Sequence, residues 1–348
     1  MTAERVYLDW NATTPLRAEA RAAMIAAMDV VGNPSSVHAE GRAARGLIER
    51  ARADLAQTLG TSPAQIVFTS GATEAAALAC GGRGLVCSPV EHDAVLAWCT
   101  PYLACDDLGR VTVPDPTRAA LQMANSETGV LQDLPRGLAV TDLTQAFGKI
   151  GFGFDWLGVD AGILSAHKFG GPKGVGALVL REGLEVAALL KGGGQEMGRR
   201  AGTENLIGIA GMAAAARAAQ ADLDAGVWDE VAELRGILEN ALEFSTETVM
   251  YAGRGAKRLP NTTCIVAPGW KGETQVMRMD LAGFAVSAGS ACSSGKLRAS
   301  RVLDAMGIEA PDCALRISLG PGIGRETVER FAETWIAACR RHRERIGG

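Results

Sequence analysis

The sequence predicts an α/β protein in which helices cover both faces of a mainly parallel β-sheet. Short β-branched segments that end near glycine, such as residues 65–69 and 176–180, alternate with Ala-rich helical patterns. Parallel strands need crossover connections, and alternating strands and helices supply them. The chain has 348 residues, 47% of them hydrophobic and 21% charged, which is an ordinary globular composition and enough length for two packed domains.

The remaining elements follow the same alternation. Further strand patterns lie at residues 84–87, 139–141, 262–266 and 314–320. A long Ala-rich helix pattern covers residues 206–223, and a second amphipathic helix covers residues 227–242. The Asp-Leu-Asp-Ala-Gly segment between these two helices is the clearest break in the chain.

This break, near residue 226, divides the chain into two predicted domains. We expect a large domain over residues 16–226 and a smaller α+β domain over residues 227–348, with residues 1–15 packed on the smaller one. The sequence shows no internal repeat or low-complexity linker that suggests another division.

Charge and hydrophobicity exclude several classes of protein. The net charge of −4 offers no basic field for nucleic acid or for an anionic membrane surface. No apolar run approaches the roughly 18 residues that a membrane span needs. The first residues, MTAERVYLDW, lack the basic-then-apolar pattern of a secretory signal, so we expect a cytoplasmic protein.

The chain contains eight cysteines, of which none forms a C-x-x-C pair, and only four histidines. This argues against a zinc framework, and free thiols in the cytoplasm are mostly buried side chains. Cys292 differs, because residues 286–296 (VSAGSACSSGK) surround it with small and polar residues. An exposed thiol in a loop rich in hydrogen-bond donors is a candidate nucleophile. The alternative is a Gly/Ser turn that happens to contain a cysteine.

Residues 66–74 (IVFTSGATE) predict a strand that runs directly into a helix. The unpaired N–H groups of a helix N-terminus, together with the hydroxyl of Thr73, favour a bound anion such as phosphate. The alternative is an ordinary helix cap in which Ser70 or Thr73 supplies the capping oxygen. This segment alone leaves both roles open.

Residues 140–145 (VTDLTQ) place Asp142 at the end of a short apolar strand, where open α/β sheets form their ligand crevice. A carboxylate buried there needs a cationic or hydrogen-bond-donating partner, and a protonated pyridine nitrogen would serve. A helix N-cap is the alternative role for this aspartate.

Residues 163–176 (ILSAHKFGGPKGVG) place Ser165, His167 and Lys168 after an apolar strand and before a Gly-Pro turn. A lysine at a strand end can lose its proton once it is desolvated, and the neutral amine can hold a carbonyl cofactor as a Schiff base. Lys173 lies in the turn itself, where we expect it to be solvated.

Two further segments carry arginines. Residues 191–203 predict a Gly-rich loop with Arg199 and Arg200, suited to an anion or to the close approach of a second subunit. Arg316 lies inside a strand pattern, where a guanidinium flanked by apolar residues needs a carboxylate or phosphate partner.

Ten motifs resemble, in their order along the chain, the cysteine desulfurases of the NifS/IscS type. They are Y-L-D-W-N-A-T-T-P, G-N-P-S-S, F-T-S-G-A-T-E, E-H-D-A-V, N-S-E-T-G, D-L-T-Q-A-F-G-K, S-A-H-K-F-G-G-P-K-G, G-G-G-Q-E, R-A-G-T and S-A-G-S-A-C-S-S. The resemblance extends from Tyr7 to about Gly320, and the loop around Cys292 resembles the group I type. It implies the class V aminotransferase fold, or fold type I, with a mainly parallel seven-stranded sheet in the large domain and with pyridoxal 5'-phosphate (PLP) as cofactor.

The resemblance implies a role for each matching residue. Lys168 matches the Schiff-base lysine, His92 the histidine stacked on the cofactor ring, and Cys292 the thiol that becomes a persulfide. Asp142 matches the partner of the pyridinium nitrogen, and Gln145 matches the residue that bonds the ring oxygen. Further contacts are implied for the cofactor at Ala72, Thr73, Asn125, Ser165, His167 and, from the other subunit of a dimer, Thr203, and for the substrate at Asn33 and Arg316.

These roles imply a homodimeric enzyme that converts L-cysteine to L-alanine and passes the sulfur from Cys292 to an acceptor protein. The acceptor would be an iron–sulfur scaffold or a thiolation enzyme. The alternative enzymes are a selenocysteine lyase or another fold-type-I lyase or aminotransferase, and a plain aminotransferase would not need Cys292. Outside enzymes, the alternative is an inactive sulfur-delivery scaffold, against which the presence of Lys168, Asp142 and His92 argues.

Two positions depart from the family pattern. Ser126 stands where the pattern N-N-E-x-G has its second asparagine. Either Asn125 or a water makes the contact of that missing asparagine, or the protein binds its substrate more weakly. Gln195 stands where the family often has histidine in G-G-G-H-E.

Overall fold

The computed structural model describes residues 5–245, 249–289 and 299–346. Its strands are β1 (Val6–Tyr7), β2 (Ile66–Thr69), β3 (Val86–Cys87), β4 (Thr100–Pro101), β5 (Ala120–Gln122), β6 (Val140–Asp142), β7 (Ala161–Ser165), β8 (Gly176–Leu180), β9 (Met250–Tyr251), β10 (Thr262–Val266), β11 (Phe284–Ala285) and β12 (Ala314–Ser318). Its helices are α1 (Ala18–Met28), α2 (Ala39–Leu59), α3 (Ala72–Cys80), α4 (Asp93–Leu96), α5 (Phe154–Leu157), α6 (Leu206–Asp224), α7 (Val227–Ser245), α8 (Gly272–Leu281), α9 (Arg301–Ala305) and α10 (Arg325–Ile346).

The main sheet has the predicted α/β architecture. Strands β2, β8, β7, β6 and β5 lie side by side in that order. A bridge between Val86 and Ala119 brings β3 next to the β5 edge, and β4 pairs with β3, which gives seven strands in all within the described residues. Strands β5, β6 and β7 are parallel, whereas β8 is antiparallel to both of its neighbours. The sheet is therefore mixed, with β8 as its reversed strand.

Helices bury both faces of this sheet. Successive side chains of a strand point to opposite faces, and in β7 Leu164 packs with residues of α2 and α6 while Ile163 packs with residues of α3. Every residue of β7 and β8 is buried, which explains why both strands are short apolar runs without a polar side.

The second half of the chain builds a smaller antiparallel sheet, in the order β12, β10, β9, and β1 pairs in parallel with β11. Its core is formed around Phe331 and Trp335 of α10, and Leu8 from the start of the chain packs into it. Another apolar cluster joins Val90 to Cys264 across the predicted domain boundary. The division into residues 16–226 and 227–348 stays a prediction.

The predicted helices on either side of the break are confirmed as α6 and α7. Gly226 between them has a φ of 73°, a left-handed conformation that glycine adopts without strain and other residues adopt at a cost. Among the described helices, none combines the length and the apolar character that crossing a bilayer requires.

Candidate active site

The predicted site residues follow the ends of neighbouring strands of the main sheet. Strand β2 leads to the N-terminus of α3, β6 ends at Asp142, and β7 ends at Ser165, just before His167 and Lys168. Since β6 and β7 are parallel and β2 runs in the same direction, these residues share the carboxyl edge of the sheet.

The N-terminus of α3 has no side-chain cap. Gly71 occupies the capping position and no side chain accepts a hydrogen bond there, so the alternative in which Ser70 or Thr73 caps this helix is wrong. A Cβ built on Gly71 would lie 3.8 Å from the Ser165 hydroxyl oxygen, which places that hydroxyl beside the helix end. The N–H groups at the start of α3, where Ala72 and Thr73 lie, thus form an anion cradle together with Ser165.

The first turn of α3 is tied to the Gly-rich loop. Glu74 accepts hydrogen bonds from the Ser70 N–H at 2.7 Å and from the Arg200 guanidinium at 2.9 Å. Burial alone would raise the pKa of Glu74, but these hydrogen bonds outweigh it and hold the pKa below its usual value. Arg199 is likewise paired with Glu185. Both arginines, which the sequence suited to an anion or to the close approach of a second subunit, therefore already have carboxylate partners within the chain.

Lys168 ends a 3-10 turn, Ala166–Lys168, that follows β7 directly. Its amine donates to the main-chain oxygens of Asn11 at 2.7 Å and Ala12 at 2.9 Å. The segment near the start of the chain therefore lies against the predicted Schiff-base lysine. Lys173 is exposed in the following turn, as predicted.

His167 is held beside Lys168 by the same N-terminal segment. Its Nδ1 lies 3.1 Å from the Thr13 hydroxyl, and its main-chain oxygen accepts hydrogen bonds from the N–H and the hydroxyl of Thr14. Burial, followed by the nearby charges of Lys168, Lys173 and His92, lowers the pKa of His167 to about 4. The imidazole is therefore neutral near pH 7 and offers one donor and one acceptor nitrogen.

Asp142 and His92 approach the site from β6 and from the start of α4. One carboxylate oxygen of Asp142 accepts the Thr144 N–H at 2.8 Å, but the residues that follow form turns, so the helix N-cap alternative is wrong. His92 caps α4 through Nδ1, which accepts the Ala94 N–H at 3.1 Å, and its side chain is exposed. An Nδ1 that accepts leaves the ring proton on Nε2.

Gln145 lies in a buried polar network that the sequence did not predict. Its amide N–H donates to the main-chain oxygen of Asn11 at 2.9 Å, and its amide oxygen accepts from the Lys149 amine at 2.7 Å. The main-chain oxygen of Asn11 also accepts from Lys168, and its amide oxygen accepts from Lys149 and Asn261, so four side-chain nitrogen groups of the described residues converge on Asn11. The only sequence signal was position, since both residues lie inside the motifs around Tyr7 and Asp142.

Arg316 has the carboxylate partner that its strand context predicted. Its guanidinium donates to Asp9 at 2.7 Å and to the main-chain oxygen of Ser126 at 3.1 Å, while its Nε is buried without a hydrogen-bond partner among the described residues. The partner is supplied by the chain itself, and Arg316 as a substrate contact stays a prediction.

Asn125 is engaged in organising its own turn. Its amide oxygen accepts the N–H groups of Glu127 and Thr128, both at 2.9 Å, and its amide nitrogen donates to the Val90 oxygen. Main-chain N–H groups thus already occupy the Asn125 amide oxygen. This argues against Asn125 making the contact that the second asparagine of the family pattern makes. Its predicted contact with the cofactor is untested.

Asn33 and Thr203 are both exposed and are not drawn into the network around Lys168. The Asn33 amide oxygen accepts the Ser35 N–H of its own loop at 2.9 Å. Thr203 lines a small cavity together with Ser70, near the start of α3. Their predicted contacts, with the substrate and with the cofactor of the other subunit, stay predictions.

Two buried carboxyl groups near the site were also missed. Glu91 accepts the Gln122 N–H at 2.7 Å, and burial together with the charge of Asp142 raises its pKa well above the usual value. Glu127 has a pKa raised by burial, and a Cβ on Gly289 would lie 1.8 Å from one of its oxygens. Glycine is therefore required where the chain enters the loop of Cys292.

Cys292 itself, with residues 290–298, lies outside the described residues. The described part of the chain contains no group of three or more His, Cys, Asp or Glu side chains placed to hold a metal ion.

The chain matches the family model described as aminotransferase class-V over residues 6–100 and 102–331. It is 38% identical to "Cysteine desulfurase IscS" of Dictyoglomus turgidum, over 90% of this chain and 89% of that protein. A solved NifS-like protein from Rickettsia africae superposes with a TM-score of 0.85 at 30% identity, covering 96% of this chain and all (100%) of the other. The structure titled "SspA in complex with cysteine" gives a TM-score of 0.75 at 28% identity, over 91% and 99% of the two chains.

The fold and these matches place the chain in the class V aminotransferases, which share PLP fold type I. Within that class it belongs to the cysteine desulfurase family, whose members depend on PLP. The predicted family, fold class and cofactor are confirmed.

Proposed function

We propose that this protein is a PLP-dependent cysteine desulfurase in which Lys168 bears the cofactor and Cys292 receives the sulfur. The observation that carries the proposal is the meeting of three groups at one edge of the main sheet. These groups are the Lys168 amine, the uncapped N-terminus of α3 beside Ser165, and the Asp142 carboxylate.

These groups suit the three chemical parts of PLP. The α3 N-terminus, Ser165 and the neutral His167 offer hydrogen-bond donors for the phosphate. The Asp142 carboxylate suits a protonated ring nitrogen, and the exposed ring of His92 suits stacking on the cofactor. When bound, PLP supplies an aldehyde for the substrate amine and a ring that withdraws electrons from its Cα.

Lys168 and Cys292 then share the chemistry. Free of the cofactor, the Lys168 amine would take the proton from the substrate Cα as a general base and would return it to Cα before alanine leaves. The Cys292 thiolate attacks the substrate sulfur: an S–S bond forms, the Cβ–S bond breaks and its electron pair stays on carbon, which gains a proton and leaves as alanine. One cysteine thus gives one alanine and one persulfide without any external oxidant, so the reaction balances.

The proposed partners follow from this chemistry. L-cysteine is the substrate, in line with the cysteine complex of a structural neighbour, and a sulfur acceptor such as an iron–sulfur scaffold or a thiolation enzyme takes the persulfide sulfur. We propose a homodimer, supported by the exposed apolar side chains of Ile25, Met28 and Val31 on and after α1. The proposed location is the cytoplasm, supported by seven described cysteines that are all free thiols.

Two single substitutions test the proposal. Lys168→Ala is expected to abolish alanine formation from L-cysteine, because it removes both the cofactor-bearing amine and the base. Cys292→Ala is expected to abolish it as well while leaving the yellow, borohydride-reducible cofactor in place. Alanine release by chromatography measures both, and wild-type turnover in Cys292→Ala would refute the proposed nucleophile and favour a plain lyase or aminotransferase.

A further inference from the structure

Lys149 carries an amine that the protein encloses without pairing it to a carboxylate. The residue is 2% exposed, and its amine donates to the amide oxygens of Gln145 at 2.7 Å and Asn11 at 3.1 Å. None of the ion pairs in the described part of the chain includes it. Burial, followed by the charges of Lys168 and Arg316, holds the pKa of Lys149 well below its ordinary value.

Burying an amine among neutral groups costs free energy that an apolar side chain of the same length would not incur. The two amide oxygens are the acceptors that offset part of this cost. Gln145 and Asn11 are therefore the groups whose positions depend most directly on Lys149.

Gln145 and Asn11 connect Lys149 to the acceptor of the Lys168 amine through hydrogen bonds. The Lys149 amine holds the side-chain oxygens of Gln145 and Asn11, and the Gln145 amide nitrogen returns to the main-chain oxygen of Asn11 at 2.9 Å. That same main-chain oxygen accepts the Lys168 amine at 2.7 Å. Lys149 thus helps to hold the Asn11 side-chain oxygen, to which Asn261 also donates, and it holds Gln145, which supplies the second donor to the Asn11 carbonyl.

We propose that Lys149 is a positioning residue, which holds Asn11 and Gln145 so that the Asn11 carbonyl stays in place as the acceptor of the Lys168 amine. The inference rests on the proposed function, because it concerns Lys168 as the amine that bears the cofactor. Lys149 acts through its neighbours, and its amine takes no part in bond making or breaking.

The test measures how readily Lys168 takes up PLP rather than how fast the enzyme turns over. Wild-type and variant proteins are stripped of cofactor, titrated with PLP, reduced with borohydride and digested, and the share of modified Lys168 is measured by mass spectrometry. Lys149→Met keeps the length of the side chain but leaves the buried Gln145 amide oxygen without its donor, and it leaves the Asn11 amide oxygen with only the Asn261 N–H at 3.1 Å. The PLP concentration at half-modification is expected to rise roughly tenfold, which corresponds to about 1.4 kcal/mol.

Two controls separate positioning from general stability. Val159→Ala removes buried apolar volume from the main core and is expected to lower the melting temperature without moving the PLP midpoint. Lys173→Met makes the same replacement at an exposed lysine and is expected to behave as wild type. If Lys149→Met keeps the wild-type midpoint, or if Val159→Ala shifts the midpoint as much, the proposal is overturned.

If Lys149→Met does not fold, a second variant tests the proposal. Lys149→Gln keeps an N–H donor on a shorter side chain that reaches one of the two oxygens, so its midpoint is expected to lie above that of wild type. A wild-type midpoint in Lys149→Gln would then overturn the proposal. Absence of PLP on Lys168 in the wild type is a different result, because it would overturn the proposed function itself.

Discussion

The side chains around Lys168 divide into groups that the protein keeps neutral and groups that it keeps charged. His167 is neutral near pH 7 because burial and adjacent cations lower its pKa to about 4, and burial raises the pKa of Glu91 well above its usual value. Arg316 and Asp9 form an ion pair, so their charges balance locally. The balance of charge at the site is thus set by environment more than by residue type.

The depressed pKa of His167 predicts a pH dependence of stability. In the unfolded chain the ring has its ordinary pKa of 6.5, whereas in the folded protein the pKa is about 4. Between these values the unfolded state binds more protons, so His167 makes the free energy of unfolding fall as the pH is lowered through this window. His167→Gln is expected to show a smaller fall than wild type.

Denaturant unfolding at a series of pH values measures this difference. His38→Gln is the matched control, since His38 is exposed at the surface, and it should lose stability in parallel with wild type. Parallel curves for His167→Gln and wild type would show that the ring is not held neutral by the fold.

At the scale of elements, the Gly-rich loop is fixed by one buried ion pair. Glu196 and Met197 have φ angles of 48° and 58°, a left-handed conformation that is strained for residues other than glycine. The Arg52 guanidinium on α2 holds the Glu196 carboxylate through two hydrogen bonds of 2.8 and 2.7 Å, and the carboxylate also accepts the Phe68 N–H of β2. The pair thus joins α2, β2 and the loop that continues to Arg200.

Glu196→Gln is expected to lower the free energy of unfolding by about 3 kcal/mol, because it leaves the buried Arg52 charge with only the exposed Glu49 carboxylate, 3.4 Å from its Nε, as a counter-ion. Chemical denaturation measures the loss. Glu185→Gln is the matched control: it removes the partner of Arg199 at the surface, where solvent screens the pair, and should change stability little. Similar effects of the two substitutions would contradict a special role for the buried pair.

The elements themselves were largely predictable from sequence. Strands such as β2, β8 and β10 and helices such as α6 and α7 fill the predicted segments, because alternation, β-branched runs and Ala-rich periodicity report local structure directly. The reversal of β8 was not predictable in this way, since a short apolar run has the same pattern in either direction.

Site residues were predictable where they belong to a recognisable chemical motif. They were not predictable where their role depends on tertiary contacts. Lys168, Ser165 and Asp142 lie at strand ends, as their motifs predict. Asn11 and Lys149 gave no comparable signal, because their importance comes from hydrogen bonds across more than a hundred residues of sequence. The motif around Arg316 predicted a carboxylate partner but could not identify it as Asp9.

At the scale of the whole molecule, two parts of the chain meet at one site. The main sheet supplies Asp142, Ser165 and Lys168, the segment of Asn11 covers the lysine, and Arg316 belongs to the smaller sheet. In the proposed mechanism Cys292, which follows Gly289 by three positions in the sequence, receives the sulfur at this site. The central claim is therefore that sulfur leaves cysteine and is bound by Cys292.

Mass spectrometry of the protein after brief exposure to L-cysteine tests this claim most directly. After digestion without reductant, the peptide with Cys292 is expected to gain the mass of one sulfur atom, with one alanine released for each persulfide formed. The gain should disappear in Lys168→Ala, whose Cys292 is intact. Alanine release with no added sulfur on Cys292, or the same gain in Lys168→Ala, would contradict the account.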